Sequence, residues 1–234
     1  MIECMVNTKF FFVNPYHERT CIVWDSDNNA VIIDPGFIGK EESESFLEFI
    51  SSNSLKPLAI LLTHAHFDHI YGVKTCIEQF SIPVYMHPQD KVIIDDVRNF
   101  AADARMPVPD TNWETIDIHE GESLRFGGLQ FEVIETPGHT PGSVCYLDRQ
   151  GKNLFSGDTL FAGSIGNTSL RWGDYDKEIV SIMEKLMFLD GDTAVRPGHG
   201  GGSTIGHERT TNPFLQPFNE KYDDGSVDGI TFNE

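Results

Sequence analysis

Three histidines and an aspartate crowd one stretch of this chain, Thr63-His64-Ala65-His66-Phe67-Asp68-His69. Only nine histidines occur in 234 residues, so three of them beside Asp68 stand well above the background. The stretch follows a continuous apolar run at residues 58–62, which predicts a strand covered on both faces. If the backbone stays extended through His66, then His64 and His66 point to the same side, because strand side chains repeat every second residue. Two imidazoles on one side can share a metal ion. Asp68 and His69 fall where the next helix begins, so they project elsewhere and could serve a second ion. Mixed histidine and carboxylate donors suit borderline divalent cations, zinc being the commonest. The competing reading is a polar loop with incidental histidines, and the local ligand density argues against it.

Three further donors each sit in a turn after a strand-like run. His139 lies in Thr136-Pro137-Gly138-His139-Thr140-Pro141-Gly142, Asp158 in Ser156-Gly157-Asp158-Thr159, and His199 in Pro197-Gly198-His199-Gly200. Glycine and proline set tight turns that can aim a strand-end side chain into a shared cleft. Singly, each is an ordinary turn. Together, after the histidine-rich stretch, they read as a distributed metal site. His87, His119 and His207 are expected to be structural or exposed. Tyr16 and His17 belong to a turn expected to be solvated.

The elements that must position these donors alternate along the chain. Strands are expected at residues 5–13, 21–24, 30–33, 58–62 and 84–86, and helices at 42–51, 68–80, 89–99 and 177–188. Residues 123–134 and 143–155 read as antiparallel strands around Gly127-Gly128 and Arg149-Gln150-Gly151-Lys152, with a short strand at 194–195. Residues 106–113 read as a loop. Hairpins mixed with covered strands and surface helices predict two packed sheets with helices outside, an α/β (α+β) layered domain. No linker divides the chain, so residues 1–234 are taken as a single domain, with 219–234 an acidic surface arm.

Composition narrows the partners. The chain has 36 acidic and 17 basic residues, a formal charge of −19. Phosphate backbones and anionic membranes are gripped by Lys and Arg, so nucleic acid and membrane surfaces are poor partners for it. No apolar run approaches the ~20 residues of a membrane-spanning helix, and the N-terminus lacks a signal-peptide core. The four cysteines, Cys4, Cys21, Cys76 and Cys145, are scattered, which suits reduced thiols in the cytoplasm better than a disulfide framework.

The pattern His64-x-His66-x-Asp68-His69, then His139, Asp158 and His199, resembles the metallo-β-lactamase fold superfamily in order and context. Within it, residues 136–143, 156–166 and 206–214 resemble the short, single-domain glyoxalase II-like hydrolases. The resemblance implies a four-layer αβ/βα sandwich with metals at one edge. It implies that His64, His66 and His139 hold one metal, that Asp68, His69 and His199 hold a second, and that Asp158 bridges them. Two divalent ions are then expected, Zn2+ first and Fe or Mn as alternatives. Asp68 and Asp158 are the carboxylates expected to matter most for catalysis. A bridging hydroxide would attack the carbonyl of a small-molecule acyl thioester, as in hydroxyacylglutathione hydrolases. Thr63, Thr140, Ser156 and Thr159, beside the ligands, are candidates to orient them.

The chain also departs from its relatives. Many carry Gly-Arg-Thr-Asp where this one has Gly166-Asn167-Thr168-Ser169, and Arg171 could compensate. Long glyoxalase II enzymes recognise glutathione through a helical domain, for which the 35 residues after His199 leave no room. The glutathione-binding residues therefore do not carry over, and the acidic balance is itself a caution about an anionic thiol. Asp158 occupies the place where class B β-lactamases commonly have Cys, and His66 the place where iron–flavin members have a carboxylate. The rival readings are a persulfide dioxygenase with one iron on His64, His139 and Asp158, a hydrolase of another ester or lactone, a nuclease, and a non-catalytic metal-binding protein.

Overall fold

A computed structural model describes residues 6–216. Cys4, residue 5 of the first expected strand and the arm at 219–234 lie outside the described residues. The first sheet contains β1 (Asn7–Val13), β2 (Glu18–Trp24), β3 (Asn29–Ile33), β4 (Lys56–Leu61), β5 (Val84–Met86) and β6 (Thr115–Asp117), in that spatial order. β1, β2 and β3 pair antiparallel, whereas β3 to β6 run parallel. The parallel crossovers are made by helices: α1 (Gly39–Ser52), α2 (Phe67–Ile70), α3 (Val73–Phe80) and α4 (Lys91–Asp103). This follows from geometry, since parallel neighbours need a long return connection.

The second sheet is built from β7 (Ser123–Phe126), β8 (Leu129–Glu135), β9 (Val144–Asp148) and β10 (Asn153–Gly157) as an antiparallel meander. A two-stranded ribbon, β11 (Leu160–Phe161) and β12 (Ser164–Ile165), leads to α5 (Tyr175–Ser181). β13 (Ala194–Pro197) then adds parallel to β10, β14 (Ser203–Thr204) adds at the edge, and α6 (Ile205–Thr211) follows.

Side-chain alternation shows the layering directly. In β3, Ala30 and Ile32 face the helices α1 to α4, while Val31 and Ile33 face the second sheet. In β9, Val144 and Tyr146 face the first sheet, while Cys145 and Leu147 pack with Ile182, Leu186 and Ile205 of the other helical layer. The order is thus helix, sheet, sheet, helix, and the central strands are apolar on both faces because both faces are covered. The expected αβ/βα sandwich is the observed one. Cys21, Cys76 and Cys145 are buried free thiols.

Two helices differ from expectation. The segment 68–80 is broken at Tyr71 and Gly72, where Gly72 packs so closely on Phe37 that a Cβ would lie 2.5 Å from the Phe37 ring. The segment 177–188 is α-helical only to Ser181 and continues as a π-helical turn, Ile182–Leu186. The short strands β6, β11, β12 and β14 and the helix α6 carry too little periodicity to be read from sequence. Among the described residues no helix is long and apolar enough to cross a membrane.

The buried Tyr146 hydroxyl donates to the Leu62 carbonyl at 2.7 Å, which pins the end of β4 just before Thr63. Tyr146→Phe removes the donor without opening a cavity. It should lower stability by about 1–3 kcal/mol, read as a shift in urea midpoint of the metal-free protein at unchanged slope.

Candidate metal centre

All seven expected donors converge at the ends of β4, β8, β10 and β13, between the two sheets. His64 and His66 follow β4, with His66 on an extended backbone and the two ring centroids 4.8 Å apart. Asp68 and His69 occupy the first turn of α2. His139 follows β8, Asp158 follows β10, and His199 follows β13. His64, His66 and His139 offer nitrogens that lie within 4.8 Å of one another, and Asp68, His69 and His199 form a second such group. Asp158 stands between them. Its Oδ1 is 3.5 Å from His69 Nε2, and its Oδ2 is 3.6 Å from both His139 Nε2 and His199 Nε2.

The imidazoles are oriented from behind. His69 Nδ1 donates to Asp34 Oδ2 at 3.1 Å, His139 Nδ1 to the Asn167 carbonyl at 3.0 Å, and His199 Nδ1 to the Tyr16 carbonyl at 3.0 Å. The Thr63 hydroxyl donates to Asp34 and therefore accepts from His64 Nδ1 at 3.0 Å. In each neutral ring the Nε2 lone pair is left facing inward. His69 Nε2 and His199 Nε2 then face each other at 3.3 Å, and His139 Nε2 faces His66 Nδ1 at 2.9 Å. Among the ligand candidates, His64 Nε2, His66 Nε2 and Asp158 Oδ1 are buried with no hydrogen-bond partner. Acceptors packed this closely in a buried site need positive charge between them, a proton or a metal ion. The donor set therefore fits two divalent ions.

The ionisation balance agrees. Burial holds His64 and His66 well below the usual histidine range, which keeps them neutral. Burial likewise opposes charge on His69, but the carboxylates of Asp158 and Asp68 outweigh it and raise its proton affinity. Burial would raise Asp68, but His69 and His199 pull it well below the carboxylate range. A divalent cation would satisfy the same carboxylates that draw a proton onto His69.

Three buried carboxylates that sequence reasoning missed hold the loops. Asp34, at the end of β3, accepts from the Thr63 amide and hydroxyl and from His69. Asp90 accepts from the amides of Ala65 and Gly142 and from the Thr140 hydroxyl, so it ties the His64 loop to the His139 loop, and burial pushes it up to about 6. Glu178 of α5 accepts from the His139 amide at 2.8 Å, and burial pushes it up to about 8. Gly138 lets Glu178 come this close, because a Cβ there would collide with it. The faint sequence signal for Asp34 was its place directly after a covered strand, the same position that marks His64.

Of the candidate orienting hydroxyls, Thr63 alone touches a histidine ligand candidate. Thr140 acts through Asp90, Ser156 donates to the Leu160 carbonyl, and Thr159 pairs with Thr136. His87 is buried against Glu135, while His119 and His207 are exposed. The donors open onto a cavity of about 780 Å3 with aromatic and apolar walls, including Phe67, Phe100, Phe161 and Leu170. Tyr16 lines it, whereas His17 is exposed outside it.

A sequence profile described as the metallo-beta-lactamase superfamily matches residues 17–201. The chain belongs to that superfamily. It is 34% identical over 216 residues to the hydroxyacylglutathione hydrolase GloC of Haemophilus influenzae, covering 90% of this chain and 98% of that one. Among solved structures it is similar to the BLEG-1 B3 metallo-beta-lactamase (38% identity, TM-score 0.84, 90% of this chain and all of that one). It is also similar to TTHA1623 in a di-iron-bound form (38% identity, TM-score 0.80, 88% of this chain and all of that one). The chain is thus a metallo-hydrolase of this superfamily, as its sequence motifs implied.

Asp34→Asn replaces an acceptor shared by Thr63 and His69 with a group that repels one of them. Metal affinity, read by chelator competition, should fall about 10- to 100-fold. Unchanged affinity would show that Asp34 does not orient the ligands.

Proposed function

We propose that the protein hydrolyses acyl thioesters of the hydroxyacylglutathione type at a dinuclear metal centre. His64, His66 and His139 hold one ion, Asp68, His69 and His199 hold the other, and Asp158 bridges them. The observation that carries this reading is the pair of adjoining donor clusters with Asp158 reaching both, open to one cavity. Bound there, two divalent cations supply a water of lowered pKa and polarise the acyl carbonyl. Zinc fits the donor set best, and iron and manganese are the alternatives.

The remaining work falls to the chain. Asp34, Asp90 and Glu178 keep the donors fixed, so little reorganisation is needed as charge develops. The apolar walls exclude bulk water and receive the acyl group. A thiolate is a stable enough leaving group to depart without a dedicated general acid, which accords with a cavity whose only histidines are ligand candidates. The likeness to GloC supports the thioester class. A persulfide dioxygenase would hold one iron on His64, His139 and Asp158, so metal content separates that rival from hydrolysis. The buried free thiols accord with a reducing cytoplasm.

The test pairs metal analysis with substrate profiling. Purified protein loaded with zinc, iron or manganese should bind two ions per chain and cleave S-D-lactoylglutathione faster than esters, lactones or a chromogenic β-lactam. One iron per chain with oxygen uptake on glutathione persulfide would overturn the reading, as would a preference for the β-lactam. Asp158→Ala should lose most bound metal and at least about 10²- to 10³-fold in kcat/KM. Full activity in a metal-verified Asp158→Ala protein would refute the bridging role.

A further inference from the structure

The segment between β12 and α5 crosses the cavity mouth. It carries Arg171, the sole Lys or Arg among the described residues lining the cavity. Arg171 Nη1 is ion-paired with Asp96 Oδ2 on α4, the side chains being 49% and 19% exposed. The guanidinium lies 5.5 Å from the Trp172 ring. Trp172 stacks on Phe100 at 6.3 Å, and Phe100 stacks on His66 at 5.0 Å, nearly parallel in both steps. A file of three rings thus leads from the donors to the guanidinium. Trp172 holds φ at +66°. A bulky residue keeps that left-handed conformation only where its surroundings dictate it. Its own segment therefore fixes where Arg171 stands.

We propose that Arg171 binds a carboxylate on the thiol half of the substrate, and that Asp96 is the placeholder which that carboxylate displaces. The proposal rests on the thioester reading and names its thiol class: a small carboxylate-bearing thiol, as opposed to a neutral or a polyphosphorylated one. A guanidinium receives a carboxylate with two parallel hydrogen bonds. The guanidinium of the outgoing pair is half exposed and Asp96 less so, and because one carboxylate replaces another on it the exchange is close to neutral. Selectivity then comes from tethering, because a thioester held at the metals brings its own carboxylate to Arg171 at high effective concentration. Asp103 lies seven residues after Asp96, on the same face of α4, and also lines the cavity. One cation beside that acid suits a single carboxylate and repels a polyphosphate.

The test uses metal-verified holoenzyme as wild type, Arg171→Gln and Asp96→Asn. The binding probe is glutathione, whose thiolate can sit on the metals and so supplies the second attachment, measured calorimetrically. The kinetic readout is the ratio of kcat/KM for S-lactoylglutathione to that for S-lactoyl-N-acetylcysteamine, a neutral thioester with the same acyl group. Arg171→Gln should weaken the probe about ten-fold or more and lower the ratio by a similar factor. Asp96→Asn frees the guanidinium and should tighten the probe and raise the ratio, each about three-fold. Equal probe affinity in all three proteins, no binding by the wild type, or weakening by both substitutions would overturn the proposal. The last outcome would make the pair a latch that shapes the mouth. Should no thioester be cleaved, the hydrolase reading falls, while the binding arm still decides the role of Arg171.

Discussion

Five imidazoles and two carboxylates are packed here with their ligating atoms turned toward one another, and the rest of the structure exists under that constraint. His69 and His199 oppose nitrogens at 3.3 Å, His66 and His139 at 2.9 Å, and His64 Nε2 has no partner. Left to relax, the loops bearing them would swing apart or find internal hydrogen bonds. They are prevented by groups that fill the outward nitrogens of His64, His69, His139 and His199, while Phe100 stacks on the His66 ring. Asp34 takes the Thr63 amide as well as the Thr63 hydroxyl and His69, so moving either loop breaks several buried bonds at once. Such bonds cost most when only one partner is removed.

The layered architecture explains why the donors can come from four separate places in the chain. Each follows the end of an element that is fixed in a sheet or starts a helix docked on one. Neighbouring parallel strands deliver Asp34 and His64 side by side, since β3 and β4 are paired up to Ile33 and Leu61. Across the sandwich, β10 and β13 are also parallel neighbours and deliver Asp158 and His199 together. At Gly157 the strand turns with φ at +48°, and a Cβ there would strike the Thr63 hydroxyl. A glycine at that point lets the two sheets approach closely enough for Asp158 to reach both donor groups. The fold thus contributes precision of placement, and the chemistry stays with the side chains.

Sequence reading reached the donors because each carries its own signal: histidine is scarce, and glycine and proline mark the turns that hold it. It reached the layering because central strands buried on both faces, such as residues 58–62, look unlike half-exposed ones. It did not reach Asp90 or Glu178. Nothing local distinguishes a lone acid inside a helical pattern from a solvated one, and Glu178 sits among Asp174, Asp176 and Glu184 with nothing in the spelling to mark it as the buried member. Its role depends on Gly138 arriving from 40 positions earlier, a pairing only tertiary structure creates. The break at Gly72 was hidden for the same reason, because the Gly72 amide donates to the Pro35 carbonyl of a distant loop.

Net charge illustrates the same separation between local and global terms. A formal charge of −19 argues against polyanionic partners when spread over the whole surface. At the cavity the relevant charges are few. Asp68 and Asp158 face the positions that cations would fill, Asp34, Asp90 and Glu178 are buried as braces, and Arg171 lines the cavity near Asp96 and Asp103. Exposed charges on far faces are screened over about 8 Å at physiological ionic strength. They therefore slow the approach of an anion without setting the energy of its bound state. The bound state is governed by one guanidinium that already has a partner, which means that an anionic ligand must be held by a second attachment to compete for it. On the proposed reading a thioester seated on the metals would have that second attachment where a free anion does not, which would make the acidic surface and an acidic substrate compatible in one protein.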